Sequence, residues 1–368
     1  MTTYLLAGGG TAGHINPLLA VADRLRENDP TATVLVLGTK EGLEARLVPQ
    51  RGYELLTIAK LPLPRRPGRA LLLFPAALRH EVGLVRRIIH ERAVDVVVGF
   101  GGYASAPAYL AARAEHVPLA IHEANAKPGF ANRLGARFTH YVGVLFASTK
   151  LPAATVVGMP LRAEIERLER PAARAEAYSL FGLSPDRPVL LVTGGSTGAR
   201  SLNRTIADTV PLILGTGWQI LHIAGARSEI SDPDLPGYVL LNYCDRMELA
   251  IAVADLAVSR SGAATVSEFT AVGVPAVYIP YPVGNGEQRF NATDVVAAGG
   301  GQLVLDADFT PAWVSGQLVP LLQDRAAIAE MAARARSVGV SDGTDRMVAL
   351  IGQALRPPEA ANHVKSDQ

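Results

Sequence analysis

Short apolar runs at residues 4–7, 33–38, 54–58, 94–99, 119–122 and 139–143 alternate with longer mixed stretches at 17–28, 42–51, 70–92, 104–115 and 129–136. The short runs are continuous, as in strands covered on both faces, and the longer ones repeat at helical spacing. Strand and helix in turn predict βαβ units around a parallel sheet. The pattern weakens between Leu151 and Pro188, where Pro152, Pro160, Pro171, Pro185 and Pro188 accompany a charged helical stretch at 163–178. A connection between two domains is expected there. The alternation then resumes. Strands are predicted at 189–193, 219–223, 239–241, 256–259, 276–279 and 302–305. Helices are predicted at 199–214, 247–254, 264–272, 288–298, 311–322, 325–337 and 344–355. The polar, proline-broken segment after the last helix is expected to fray. The fold class is therefore α/β, with two doubly wound Rossmann-like domains.

Composition narrows the function classes. At 368 residues and 49% hydrophobic, the chain can build more than one core. Its 35 Lys and Arg against 34 Asp and Glu leave a formal charge of +1, which gives no global reason to expect nucleic acid. A single cysteine, Cys244, excludes an intrachain disulfide and fits a cytosolic protein. Residues 4–7 run into glycines with no basic segment before them, so no signal peptide is read. The longest uncharged runs, 209–226 and 269–286, are long enough to raise a membrane span. Pro211, Gly215 and Gly217 in the first, and Gly273, Pro275, Pro280 and Pro282 in the second, argue against one.

Two glycine turns follow predicted strands. Gly8, Gly10 and Gly13 fit G-x-G-x-x-G, which lets a backbone approach a phosphate at a helix N-terminus. A dinucleotide site also needs an acid near the tip of the second strand. That strand ends Leu37-Gly38-Thr39, which weakens the dehydrogenase reading. Gly194-Gly195-Ser196-Thr197-Gly198 fits the G-x-S-x-G nucleophile elbow. Only His222 and His363 follow Ser196, and neither is well placed for a hydrolase, so a phosphate-binding or packing turn is the better reading. Neither turn ends as a P-loop, and no His-Glu pair has metal-site spacing.

Seven stretches in order carry a resemblance. They are Gly9-Gly10-Thr11-Ala12-Gly13-His14 with Asn16-Pro17; Gly101-Gly102-Tyr103; His122-Glu123-Ala124-Asn125; Gly158-Met159-Pro160-Leu161-Arg162; Gly194 to Arg200; Ser259 to Glu268; and Asn285-Gly286-Glu287-Gln288-Arg289. From Tyr4 to about Leu355 the chain resembles the MurG family of peptidoglycan N-acetylglucosaminyltransferases, in glycosyltransferase family 28. The resemblance implies a GT-B fold, two Rossmann-like domains facing across a cleft, with the last helix returning to the first. The expected domains are 1–161 (acceptor- and membrane-facing, joined by helix 341–356), 162–340 (binding UDP-GlcNAc) and a disordered tail 357–368. It implies inverting transfer of N-acetylglucosamine from UDP-GlcNAc to the C4 hydroxyl of the muramoyl sugar of lipid I, with no cofactor and no metal. The location implied is peripheral, on the cytoplasmic face of the bacterial membrane, with other cell-wall synthesis proteins as further partners. Ala12, Ala124, Met159 and Cys244 depart from the family's more usual residues and bear on pocket shape.

The resemblance also assigns roles. His14 is the candidate base, against a role in hydrogen-bonding substrate or capping the helix, and Glu123 is the runner-up, against a role in supporting Asn125. Thr11, Ala12, Gly13, Asn125, Arg162, Ser196, Cys244, Ala263, Ala264, Thr265, Val266, Ser267, Glu268 and Gln288 are expected at UDP-GlcNAc, with Asn285 and Glu287 as lesser candidates. Between Lys60 and Arg92, eight basic residues against two acids surround Leu71-Leu72-Leu73-Phe74. Leu72, Leu73 and Phe74 are expected at an anionic membrane surface, the alternative being an amphipathic helix with its leucines in the core. Three other functions stay open: a different GT-B glycolipid glycosyltransferase, a UDP-GlcNAc 2-epimerase and a non-catalytic UDP-sugar-binding membrane scaffold.

Overall fold

The computed structural model describes residues 1–62, 68–283 and 286–356. The expected tail at 357–368, together with Arg65, Arg66 and Asn285, lies outside them. The chain divides into two compact units, Met1–Arg162 with the chain from Asp342 onwards, and Ala163–Ser341.

Unit 1 holds strands β1 (Thr3–Ala7), β2 (Thr33–Gly38), β3 (Glu54–Thr57), β4 (Val96–Gly99), β5 (Leu119–Glu123), β6 (Tyr141–Val144) and β7 (Ala154–Val156). They form one parallel sheet in the order β3-β2-β1-β4-β5-β6-β7. Unit 2 holds β8 (Val189–Thr193), β9 (Gln219–Ile223), β10 (Tyr238–Leu241), β11 (Leu256–Ser259), β12 (Ala276–Tyr278) and β13 (Gly301–Leu303), ordered β10-β9-β8-β11-β12-β13. Both are doubly wound. The strand order reverses between β1 and β4 in the first and between β8 and β11 in the second. The carboxyl ends at those reversals are where such sheets bind ligands.

Each face of the first sheet has its own core. Leu6, Val36, Val96 and Val98 pack with Ile15, Leu18, Met347, Leu350 and Ile351 on one side. Leu5, Leu35 and Val97 pack with Val85, Ile89, Ala108 and Tyr109 on the other. The Gly343–Leu355 helix therefore belongs to unit 1. Its entry is close-packed: a Cβ on Gly343 would lie 2.3 Å from the Met159 carbonyl oxygen.

Several elements differ from the pattern. The first helix is Ala12–Asn28 and carries Pro17 inside, because the glycine turn, not the proline, sets its start. β7 was not expected, since its three residues are exposed and offer no apolar run. The stretch 199–214 breaks into Arg200–Ala207 and Val210–Leu214, with Pro211 opening the second piece. A π-helical turn, Val314–Leu318, interrupts 311–322 just before Pro320, a residue that cannot donate to the helical ladder.

Candidate active site

In unit 1 the loops after β1, β4 and β5 meet. The turns Gly8–Gly10 and Gly101–Gly102 touch backbone to backbone: a Cβ on Gly102 would lie 2.4 Å from the Gly9 carbonyl oxygen, and Gly102 has φ +87°. Only glycine fits there. Thr11 caps the Ala12–Asn28 helix with extended backbone and no side-chain cap bond. The first bonds of the helix run from the His14 and Ile15 N–H groups to the Thr11 carbonyl, both 3.1 Å, so the Ala12 and Gly13 N–H groups precede the helical ladder.

His14 sits on that first turn, partly exposed. Its Nδ1 lies 3.1 Å from the Gly9 carbonyl oxygen and 3.3 Å from Thr11 Oγ1. A carbonyl only accepts, so this contact calls for the proton on Nδ1, which in the neutral ring leaves the lone pair on Nε2. Nε2 is 3.2 Å from where a Cβ on Gly101 would stand, and Asn132 Nδ2 is 3.6 Å from the same point. His14 and Asn132, which lies on the Phe130–Gly135 helix after β5, thus flank one glycine.

Glu123 ends β5 and is buried. One oxygen accepts from Asn125 N at 2.9 Å and Asn125 Nδ2 at 3.3 Å, the other from Gly129 N and Asn132 Nδ2, both at 2.9 Å. Asn132 in turn donates to the His122 carbonyl (3.0 Å) and accepts from the Tyr109 hydroxyl (2.7 Å). Both carboxylate oxygens hold the loop that carries Asn125. Arg162 lies half-buried at the end of unit 1.

In unit 2 the turn after β8 is pinned in the same way. A Cβ on Gly198 would lie 2.2 Å from the Ala224 carbonyl oxygen. Ser196 is exposed on this turn, and its carbonyl accepts from Ala226 N at 3.1 Å. Past β11 the Ala263–Val272 helix begins at Gly262 with no side-chain cap and no acid in its first turn. Its first internal bond is Val266 N–H to the Gly262 carbonyl. The N–H groups of Ala263, Ala264 and Thr265 stand ahead of it and favour an anion. Ser261, fully buried just before them, has a hydroxyl with no hydrogen-bond partner among the described residues. The Ser267 hydroxyl bonds back to the Ala263 carbonyl at 2.8 Å, and Glu268 is half-buried on the same helix. Asn291 Nδ2 donates to the Ser261 carbonyl (3.3 Å), and Gln288 Oε1 accepts from Tyr281 N (3.0 Å). Cys244 is buried on the loop that follows the edge strand β10.

Two readings fall to this geometry. The Gly10 N–H, which a dinucleotide pyrophosphate would need, donates at 2.7 Å to the buried Glu44 carboxylate. A second anion there would meet the first. His222 is buried and held by the Tyr238 hydroxyl (2.8 Å) and Asn203 Oδ1 (3.2 Å), so it is no partner for Ser196.

The chain matches the glycosyltransferase family 28 N-terminal domain over residues 4–144 and the glycosyltransferase family 28 C-terminal domain over 189–347. It belongs to glycosyltransferase family 28. A curated relative from Leifsonia xyli subsp. xyli is 66% identical, covering 96% of this chain and 99% of its own. One from Streptomyces avermitilis is 48% identical, covering 98% and 99%. Both are named UDP-N-acetylglucosamine–N-acetylmuramyl-(pentapeptide) pyrophosphoryl-undecaprenol N-acetylglucosamine transferase. The crystal structure of Acinetobacter baumannii MurG superposes with TM-score 0.77 at 28% identity, covering 96% of this chain and all of that one. A UDP-GlcNAc 2-epimerase from Neisseria meningitidis, TM-score 0.67 at 14% identity, shares the fold.

For this family 28 chain, sequence reasoning missed two buried groups. Glu44 is one. Arg260 is the other: it donates to the Ile279 and Pro280 carbonyls (3.2 Å each) and to Ser201 Oγ (3.0 Å), and pairs with Asp306. It ties the ends of β11 and β12 to the Arg200–Ala207 helix. An arginine directly after an apolar strand was the available signal. Each unit also buries a neutral histidine. Burial pushes both His122 and His222 down to about 4. Between that value and the ordinary 6.5 the unfolded chain binds the extra proton, so stability is complete above pH 6.5 and falls as pH drops toward 4. We expect about 3 kcal/mol lost per histidine, seen as a steep fall in Tm over that window. A flat Tm would contradict it.

Proposed function

We propose that this chain transfers N-acetylglucosamine from UDP-GlcNAc to N-acetylmuramyl-pentapeptide pyrophosphoryl-undecaprenol, the reaction for which its close relatives are named. The reaction is a single displacement at the anomeric carbon, with inversion. It needs a base for the C4 hydroxyl of the acceptor and stabilisation of the leaving diphosphate. The observation that carries the base is the contact of His14 Nδ1 with the Gly9 carbonyl, which leaves Nε2 as a proton acceptor. Glu123, with both oxygens engaged, supports Asn125 at the donor sugar. The N–H groups of Ala263, Ala264 and Thr265, with the Ser261 hydroxyl, receive the diphosphate. Val266 and Ser267 complete that first turn, and Glu268 takes the ribose hydroxyls. Thr11, Ala12, Gly13, Ser196 and Gln288 contact the donor sugar or phosphates, Arg162 the diphosphate, and Cys244 the uracil. The test is transfer of labelled N-acetylglucosamine to a short-chain lipid I analogue, read by product mass. Disaccharide supports the reading. Conversion of donor without acceptor would turn it to an epimerase, and UDP binding without turnover to a scaffold.

The acceptor's lipid chain calls for a membrane surface, and no helix among the described residues is long and apolar enough to cross one. The Arg69–Glu91 helix divides along its length. Val85 and Ile89 enter the core, whereas Leu71, Leu72 and Leu73 are 47%, 80% and 56% exposed and Phe74 is half-buried. These leucines are not core, and Arg79 and Arg87 lie exposed further along the same helix. We assign this end of the helix to anionic lipid at the cytoplasmic face. Replacing Leu72 and Leu73 by Ser removes about 1.5 kcal/mol each. Sedimentation with anionic liposomes should fall by at least an order of magnitude while UDP affinity holds. Unchanged sedimentation would reject the assignment.

A further inference from the structure

Glu44 opens a helix, yet its side chain turns back under the first glycine turn and is fully buried. One oxygen accepts from Thr39 N (2.9 Å) and Thr39 Oγ1 (2.8 Å), the other from Gly10 N (2.7 Å). Three glycines make room for it. A Cβ on Gly9, Gly38 or Gly42 would lie 2.4, 2.5 or 2.0 Å from a Glu44 side-chain atom. Burial alone would push this carboxyl up; the N–H and hydroxyl donors outweigh it and hold the group below the usual carboxylate range. Glu44 is therefore a fixed negative charge beneath the turn.

Its place in the turn matters more than its burial. The N–H of Gly10 and the carbonyl of Gly9 are the two ends of one peptide group, and a trans peptide points them in opposite directions. Glu44 grips the N–H end. His14 Nδ1 meets the carbonyl end, at 3.1 Å. The carboxylate fixes the plane of that peptide and polarises it, making the carbonyl a stronger acceptor for the imidazole N–H.

We propose that Glu44 is a positioning residue for the base: through the Gly9–Gly10 peptide it fixes the tautomer and orientation of His14, so that Nε2 is the proton acceptor. The peptide stands where a carboxylate directly hydrogen-bonded to histidine stands in other base assemblies. The proposal rests on the reading of His14 as base.

The test uses the full chain with ¹⁵N-labelled histidine, the His14 signals being assigned by their loss in His14→Gln. In mildly alkaline buffer the wild type should show His14 protonated at Nδ1 and bare at Nε2. Glu44→Gln, which keeps the shape but removes the charge and sets an NH₂ group against one of the N–H donors, should mix the tautomers. It should also lower kcat about 10- to 100-fold, the usual cost of losing an orienting partner, with KM for donor and acceptor unchanged. A wild-type His14 protonated at Nε2 would overturn the proposal without any variant, so it stays testable should Glu44→Gln fail to fold. A single Nδ1–H tautomer and full kcat in Glu44→Gln would overturn it while leaving the base reading intact. Full turnover in His14→Ala would remove the base reading, and the catalytic role of Glu44 with it.

Discussion

His14→Ala is expected to lower kcat for disaccharide formation by about 10²- to 10⁴-fold, the range general-base catalysis contributes, or about 3–5 kcal/mol of barrier. UDP affinity should not change, because the His14 imidazole is assigned to the acceptor hydroxyl, and the Ala263–Val272 helix start and Glu268, assigned to the diphosphate and the ribose, stand on unit 2. His14 belongs to unit 1, and its orientation comes from backbone. Gly9 accepts from Nδ1, and the first helical turn carries the ring. His14→Gln is the informative companion. Glutamine keeps a donor and an acceptor but cannot take a proton, so a role limited to hydrogen-bonding the sugar would survive in part, and a base would not. The measurement is initial rate at saturating donor and acceptor, with UDP binding by calorimetry alongside. Turnover within about tenfold of wild type for both variants would sink the assignment and send the search for a base elsewhere in unit 1.

What could be read from the chain follows from the range of each interaction. β1, β2, β8 and β11 were legible because a strand covered on both faces leaves an apolar run, and such runs need no knowledge of partners. The glycine turns were legible for a related reason. Gly102 and Gly198 stand where another backbone comes too near for a Cβ, and that requirement is written in single residues. The contacts of His14 were within reach of the sequence because they lie three and five positions away. Glu44 was not. It bonds Gly10 from 34 positions along the chain, and an acid inside a predicted helix gives no sign of so distant a contact. Glycines at 38 and 42 were the trace it left, since each makes space for the same carboxylate. The exposure of Leu71, Leu72 and Leu73 was equally hidden, because a leucine run on an amphipathic helix reads alike whether or not the core reaches it.

Glu123→Gln should separate scaffold from chemistry. A base lost by substitution costs rate and leaves the fold alone. Glu123 is placed to do the reverse. Its buried carboxylate accepts four bonds from three residues, with the Tyr109 hydroxyl behind Asn132. Glutamine restores one acceptor oxygen and sets an NH₂ group against donors that have no lone pair to offer. Losing charge-assisted bonds and burying unsatisfied N–H groups costs about 2–4 kcal/mol. In a unit of this size that is about 4–15 °C in Tm. The calorimetric transition assigned to unit 1 should fall by that amount while UDP binding to unit 2 persists. Activity at low temperature should drop mainly through a raised donor KM, because Asn125 is what the carboxylate holds in place. An unchanged Tm with kcat reduced a hundredfold or more would mean that Glu123, not His14, takes the proton.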